Sequence, residues 1–227
     1  MNDYQTFLQS KRLSTAPAGF AVAPGAIHPR LFDWQRDIVR WALLQGRAAL
    51  FEECGLGKTL QQLEWARHVA AHTGGRVLIL APLAVAHQTI AEARTIDFDV
   101  AYVRSQEQAD SAGPVVITNY DMLKAFDPGA FAGVVLDESS ILKAFSGTTK
   151  KRLIEAFANT PYRLAATATP SPHDVAEIGN HADHRRIDAA GKRDQRTLET
   201  ALQRIIAQPE HKGVEHVAIL VRRETGM

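Results

Sequence analysis

One stretch constrains this chain more than any other: Phe51-Glu52-Glu53-Cys54-Gly55-Leu56-Gly57-Lys58-Thr59. Before it, Arg47-Ala48-Ala49-Leu50 is short and apolar, which fits a buried parallel strand. After it, Leu60 to Val69 reads as a helix with an apolar stripe at Leu60, Leu63, Ala66 and Val69 or Ala70. Strand, glycine loop, Lys-Thr and helix form the architecture of a phosphate-binding P-loop. Gly55 and Gly57 let the backbone bend tightly and bring N–H groups close to an anion. The positive end of the helix dipole then faces that anion. Lys58 can reach β- and γ-phosphates, and the Thr59 hydroxyl can ligate magnesium. Gly55, Leu56, Gly57, Lys58 and Thr59 are therefore the candidate nucleotide-binding residues. The full pattern G-x-x-x-x-G-K-[ST] is not met, because Glu52 stands at the first glycine position. A glycine-rich turn that happens to end in Lys-Thr is the bland alternative.

The rest of the chain supplies the context that such a loop needs. Strands are predicted at 76–81, 99–103, 114–118, 133–137 and 162–166, with helices over 83–94, 120–126 and 148–158 between them. Short apolar strands alternating with helices give an α/β fold, a parallel sheet with helices on both faces and right-handed crossovers. In such sheets ligands bind beyond the carboxyl ends of the strands. The P-loop, Pro82, Asn119, Asp137-Glu138 and Thr167 to Thr169 all fall at those ends. Val134-Val135-Leu136-Asp137-Glu138-Ser139-Ser140 places two carboxylates where a buried strand emerges. A P-loop ATPase needs one carboxylate to hold magnesium and a group to orient the attacking water. Asp137 suits the first role and Glu138 the second; an acidic cap on the following helix is the alternative.

Upstream, residues 1–30 read as a lead-in broken by Ala16-Pro17-Ala18-Gly19 and Pro24-Gly25-Ala26. Leu31 to Leu44 follows as a helix, with Leu31, Trp34, Ile38, Trp41 and Ala42 on one face. Gln35 lies in this helix, and on pattern alone it reads as an ordinary exposed residue. Downstream, 197–207 reads as a helix and 217–221 as a strand, a short extra C-terminal helix/strand segment. Lys and Arg total 26 against 25 Asp and Glu, so any basic surface must be local. The single cysteine, Cys54, excludes an internal disulfide and cysteine-only zinc sites. A catalytic thiol there has little support, since no histidine is near it in sequence. No apolar run reaches the ~20 residues that span a bilayer, and no signal peptide is evident, so a cytoplasmic protein is expected.

Six segments together carry a resemblance. Glu53-Cys54-Gly55-Leu56-Gly57-Lys58-Thr59 resembles motif I of superfamily-two DEAD/DEAH-like helicases, whose Asp/Glu-x-Gly-x-Gly-Lys-Thr form lacks the first glycine. Leu31-Phe32-Asp33-Trp34-Gln35 resembles the upstream glutamine element. Leu80-Ala81-Pro82-Leu83 resembles motif Ia, and Ile117-Thr118-Asn119-Tyr120 motif Ib. Asp137-Glu138-Ser139-Ser140 stands at motif II, with Ser-Ser in place of Ala-His or Ala-Asp. Thr167-Ala168-Thr169-Pro170 resembles motif III. Order and spacing agree over roughly residues 28 to 182. The chain thus resembles the first RecA-like domain of these helicases, most like their Swi/Snf-type and phage-encoded members.

The resemblance implies a RecA-like P-loop NTPase domain over 31–182, after a lead-in (1–30) and before a divergent tail (183–227). It implies ATP and Mg2+ as cofactors, with Gln35 on the adenine edge, Lys58 and Thr59 on phosphate and metal, and Asp137 and Glu138 on metal and water. Pro82, Thr118 and Asn119 would lie near the backbone of a nucleic acid, DNA or RNA. Thr167 and Thr169 would couple nucleotide state to that strand, although Ser139-Ser140 departs from the pattern. These motors use two RecA-like lobes, the second supplying an arginine finger. Only about 45 residues follow the motif III region, too few for another lobe. Arg222-Arg223 reads as a solvated basic end rather than a finger. The chain is expected to be half a motor: a truncated frame, a fragment, or a subunit completed in trans. Two function classes stay open, an ATP-dependent nucleic-acid helicase or translocase and a nucleotide-binding module without turnover. A P-loop kinase stands third, because Thr167-Ala168-Thr169-Pro170 has no place there.

Overall fold

The structure, a computed structural model, describes residues 17–138, 153, 155–168 and 218–221. In chain order the main elements are α1 (Asp33–Gln45), β1 (Arg47–Glu52), α2 (Lys58–Thr73), β2 (Arg76–Ala81) and α3 (Leu83–Arg94). There follow β3 (Ala101–Tyr102), α4 (Gln106–Ser111), β4 (Val115–Asn119), a 3-10 turn (Tyr120–Ala125), β5 (Phe131–Leu136), β6 (Tyr162–Thr167) and β7 (Ala218–Val221). The seven strands form one sheet in the order β3-β4-β2-β5-β6-β1-β7. All of its pairings are parallel.

The α/β expectation holds, and the packing explains the sequence pattern. Successive strand residues point to opposite faces, and here both faces are buried. Ala48, Leu50, Val77, Ile79, Val135 and Leu164 face one core, beneath α1, α2 and α3. Ala49, Leu78, Leu80, Val134, Leu136 and Ala165 face a second core, which includes Leu153 and Phe157. A strand covered on both sides must be apolar throughout, hence runs such as Val77-Leu78-Ile79-Leu80 rather than alternation.

Element boundaries moved in instructive ways. β1 runs to Glu52, so Phe51 and Glu52 belong to the strand rather than the loop. The third strand keeps only Ala101–Tyr102, because it sits at the sheet edge with one neighbour. α4 was not expected; the Ser105 hydroxyl caps it by accepting from the Gln108 N–H. The C-terminal strand is present and pairs with β1. The expected helix near residues 197–207, Ser139-Ser140, Thr169-Pro170 and Arg222-Arg223 lie outside the described residues, as does most of 148–158.

The lead-in is no mere spacer. Ile27 and Leu31 are buried in the first core, and the His28 N–H donates to Glu64 Oε2 at 2.9 Å. Glu64 is fully enclosed on α2. Arg67 lies 2.7 Å from its Oε1, and His68 Nε2 lies 3.6 Å from its Oε2. Burial alone would raise the proton affinity of this carboxylate. Hydrogen bonds from His68 and the His28 N–H, with the charge of Arg67, more than offset burial and hold its pKa below the ordinary value. A depressed carboxyl pKa stabilises the fold above the ordinary carboxylate range, and that contribution disappears as pH falls through the folded-state value. Glu64→Gln should therefore lower unfolding free energy by about 2 kcal/mol near neutral pH. The difference should shrink below the ordinary carboxylate range, as read by denaturant titrations of both chains from pH 7 to pH 3.

Candidate nucleotide site

The sheet order decides which sequence motifs meet. β6 lies between β1 and β5, so the loop after β1, the acidic pair after β5 and Thr167 at the end of β6 emerge side by side. Leu50 pairs with Ala166 and Phe51 with Thr167, while Leu136 pairs with Ala165. On the far side of β5, β2 ends just before Pro82 and β4 at Asn119.

In the loop, Gly55 and Gly57 have φ of +81° and +74°. Gly57 is the residue from which α2 starts. The dihedral demands glycine, and a Cβ there would sit 2.5 Å from Gln35 Nε2, so the Gln35 amide would have to shift. Lys58 folds back, and its ammonium donates to the carbonyls of Glu52 at 2.8 Å and Glu53 at 3.0 Å. Glu52, at the first glycine position of the full pattern, is buried, and its Oε2 accepts from Gln61 Nε2 at 2.7 Å. Burial raises its pKa, opposed by the Gln61 hydrogen bond and the Lys58 charge.

Gln35 departs from the pattern-based expectation of an exposed helix residue, being only 4% exposed. Its Oε1 accepts from the Phe32 N–H at 2.9 Å, closing the first turn of α1 as a capping box does. Its Nε2 donates to the Leu56 carbonyl at 2.7 Å. The residue is buried because it ties α1 to the P-loop, a contact 21 residues away that helical periodicity cannot register. Beside it opens a cleft of about 520 Å3, lined by Arg30, Phe32, Trp34 and Leu60 together with the loop. Phe32 is 68% exposed and Trp34 37%, unusual for large apolar side chains on a folded surface.

At the end of β5, the Asp137 N–H donates to the Leu80 carbonyl at 2.8 Å. Asp137 Oδ1 accepts from Gln62 Nε2 at 2.8 Å. Burial raises the Asp137 pKa, as does the neighbouring Glu138 charge, while hydrogen bonds from Gln62 and the Glu138 backbone and the charge of Lys58 oppose the rise. Glu138 takes a left-handed φ of +48°, and its Oε1 accepts from the Thr167 hydroxyl at 3.0 Å. The Tyr120 hydroxyl donates to the Asp137 carbonyl at 2.7 Å. Its burial, reinforced by the charges of Asp137 and Glu138, holds the phenol well above its ordinary pKa, so it stays a donor.

The donor set suits a phosphate-bound hard cation. Asp137 offers a carboxylate, Thr59 a hydroxyl, and Lys58 a cationic donor for the phosphates. Among the described residues no group of three or more His, Cys, Asp or Glu is arranged to hold a metal. Magnesium commonly binds in this way, through one or two carboxylates plus substrate phosphates.

Of the other candidates, Pro82 begins α3 beside Leu83, which is 55% exposed. Asn119 is occupied locally: its Oδ1 caps the next turn at Met122 N, and its Nδ2 donates to the Tyr102 hydroxyl at 3.2 Å. Thr118 is wholly enclosed. Cys54 is exposed and free. Gln61, Gln62, Tyr120 and the Phe32–Trp34 cleft were not expected. The one signal for the glutamines was two adjacent amides beside the apolar stripe of α2.

Residues 34–223 match the family model described as the SNF2-related domain. No relative is found among curated proteins. Among solved structures, the Sulfolobus solfataricus SWI2/SNF2 ATPase core in complex with dsDNA is similar at 21% identity and a TM-score of 0.54, over 66% of this chain and 34% of that one. The Pyrococcus furiosus Hef helicase domain is similar at 20% identity and a TM-score of 0.56, over 88% and 40%. The UvsW helicase of bacteriophage T4 is similar at 17% identity and a TM-score of 0.53, over 74% and 59%. At these identities the likeness is one of fold, that of RecA-like helicase cores. The chain matches less than two thirds of the length of each of these structures. Among the described residues no helix is long and apolar enough to cross a membrane.

The loop geometry makes a stability prediction. Gly57→Ala should cost about 1–2 kcal/mol for the left-handed backbone alone, plus the clash with Gln35. In a Gln35→Ala background the steric part should vanish and the cost should shrink. Chemical denaturation of the four chains measures both.

Proposed function

Since the chain belongs to the SNF2-related domain family, we propose that it is the ATP-binding lobe of a DNA helicase or translocase. In this reading it binds Mg-ATP at the P-loop and hydrolyses it when paired with a second RecA-like lobe. The observation that carries the reading is the meeting of Lys58, Asp137 and the Thr167–Glu138 pair at the adjacent ends of β1, β5 and β6. A glycine turn or an acidic cap alone would not require that convergence.

Each residue then has a task. Lys58 exchanges its two loop carbonyls for phosphate oxygens, a charge-assisted contact stronger than the one it leaves. Backbone N–H groups of Gly55 to Lys58 face the phosphates at the start of α2. Thr59 and Asp137 hold magnesium, which when bound neutralises charge on the β- and γ-phosphate oxygens. Glu138 orients the attacking water and takes its proton, with the Thr167 hydroxyl setting the direction of its carboxylate. Phe32 and Trp34 offer apolar faces to the adenine. Gln35 uses one amide hydrogen and one carbonyl lone pair inside the protein, which leaves one of each for the base edge. Pro82 and Asn119, at the ends of β2 and β4, stand on the half of the sheet assigned to the nucleic-acid backbone. Thr118, wholly enclosed, would act there only through its neighbours. DNA is the proposed partner because the similar S. solfataricus ATPase core is in complex with dsDNA. The arginine finger would come from the second lobe.

Calorimetric titration with ATP tests the binding half. Lys58→Ala should lose about 1.5–3 kcal/mol, at least tenfold in affinity, and unchanged binding would reject the site. Glu138→Gln should bind ATP as the parent does and lose turnover. Steady-state ATPase with and without DNA tests the rest. The 227-residue chain should turn over near background and gain DNA-stimulated activity when a second lobe is supplied. Nucleotide binding that stays silent under both conditions would leave a binding module without turnover. Affinity for DNA should fall with salt, with a log–log slope of about −0.9 per phosphate contact on duplex.

A further inference from the structure

α2 carries two adjacent glutamines that serve different partners. Gln61 Nε2 donates to Glu52 Oε2 at 2.7 Å and approaches the Leu56 carbonyl at 3.4 Å, so it braces the loop. Gln62, one residue on, turns to β5, where its Nε2 donates to Asp137 Oδ1. Gln61 and Gln62 are 0% and 1% exposed. A buried amide is costly unless its hydrogen bonds are made, and Leu63, Trp65 and Ala66, which follow it along α2, are apolar and fully enclosed. A leucine would fill the place of Gln62 at no such cost. What the amide adds is a donor aimed at one carboxylate oxygen.

The placement along the helix gives that donor a purpose. Lys58, Thr59 and Gln62 are spaced i, i+1 and i+4, so Lys58 and Gln62 stack on one face and Thr59 lies beside them. The backbone of Asp137 is fixed on both sides, by Leu80 and by Tyr120. Those contacts leave its side-chain torsions open, and the terminal torsion of aspartate is broad and roughly two-fold. Gln62 closes that freedom from the same rigid helix that begins with the phosphate-binding residues. We propose that Gln62 is a positioning residue that sets the orientation of the Asp137 carboxylate relative to Lys58 and Thr59, so that metal and phosphates are received in one register. The inference rests on the Mg-ATP reading above and deepens it.

The test uses the full 227-residue chain and a fluorescent ATP analogue, titrated in EDTA and in excess Mg2+. The ratio of the two affinities is the metal increment. Gln62→Leu should bind the analogue in EDTA within about twofold of the parent, because Lys58 and the loop are untouched. Its metal increment should fall at least fivefold. Asp137→Asn should lose the increment, and adding Gln62→Leu to it should change nothing further, the non-additivity of two residues acting as one. If Gln62→Leu does not fold, Gln62→Met is read in the same way. An unchanged increment in the folded variant overturns the positioning role. An equal loss in EDTA and in Mg2+ also overturns it, because Gln62 would then only pack the helix. Failure of the parent chain to bind the analogue under either condition would instead overturn the Mg-ATP reading, and this inference with it.

Discussion

The parallel pairing of β6 between β1 and β5 is the constraint on which the site depends. It sets the spacing at which a phosphate loop and an acidic strand end face each other, about 4.8 Å per strand step. The strand between them also contributes a contact of its own, since Thr167 on that strand reaches Glu138. The pairing is also well determined. Strands buried on both faces cannot slip by one residue without exchanging the side chains given to two different cores, and here those cores are filled by different residue sets.

A network of amides and carbonyls then ties the loop to its surroundings. Leu56 O accepts from Gln35, Glu52 accepts from Gln61, and the Glu52 and Glu53 carbonyls accept from Lys58. These contacts hold the glycine loop in a single shape although its glycines are conformationally free. A loop ordered in advance loses less entropy on meeting a ligand. The lead-in takes part at longer range, through the His28 contact to buried Glu64.

How much was legible follows from which signals are local. The strand cores and α3 were readable because apolar runs and breakers such as Pro82 act over a few residues. The loop, Asp137 and Glu138 were readable because their residue types are tied to chemistry. Strand order was not readable, and neither were the contacts that depend on it. Gln35 reads as a surface residue because its partner, Leu56, lies in another element. Gln62 and Tyr120 meet Asp137 only once α2, β4 and β5 are assembled. Arg163 sits wholly buried in β6, with Nη1 donating to the carbonyls of Phe157 and Ala158. Its burial, with Arg47 nearby, lowers its pKa to about 9. A charge near the start of a strand argues against burial until the carbonyls that it serves are known.

The position of β1 in the sheet also bears on how the chain reaches this fold. Arg47 pairs with Arg163, and Ala49 with Ala218. The strand that carries the phosphate loop is the first to be made, yet both of its neighbours come much later in synthesis. Contacts of such long range slow folding, because a large loop must close before any pairing is gained. On the ribosome β1 therefore waits with both edges unpaired while β2 to β5 can already associate. An unpaired apolar edge is a template for wrong partners. Chains cut before residue 218 would keep one such edge beside the phosphate loop, which in the finished fold the distant C-terminal strand covers.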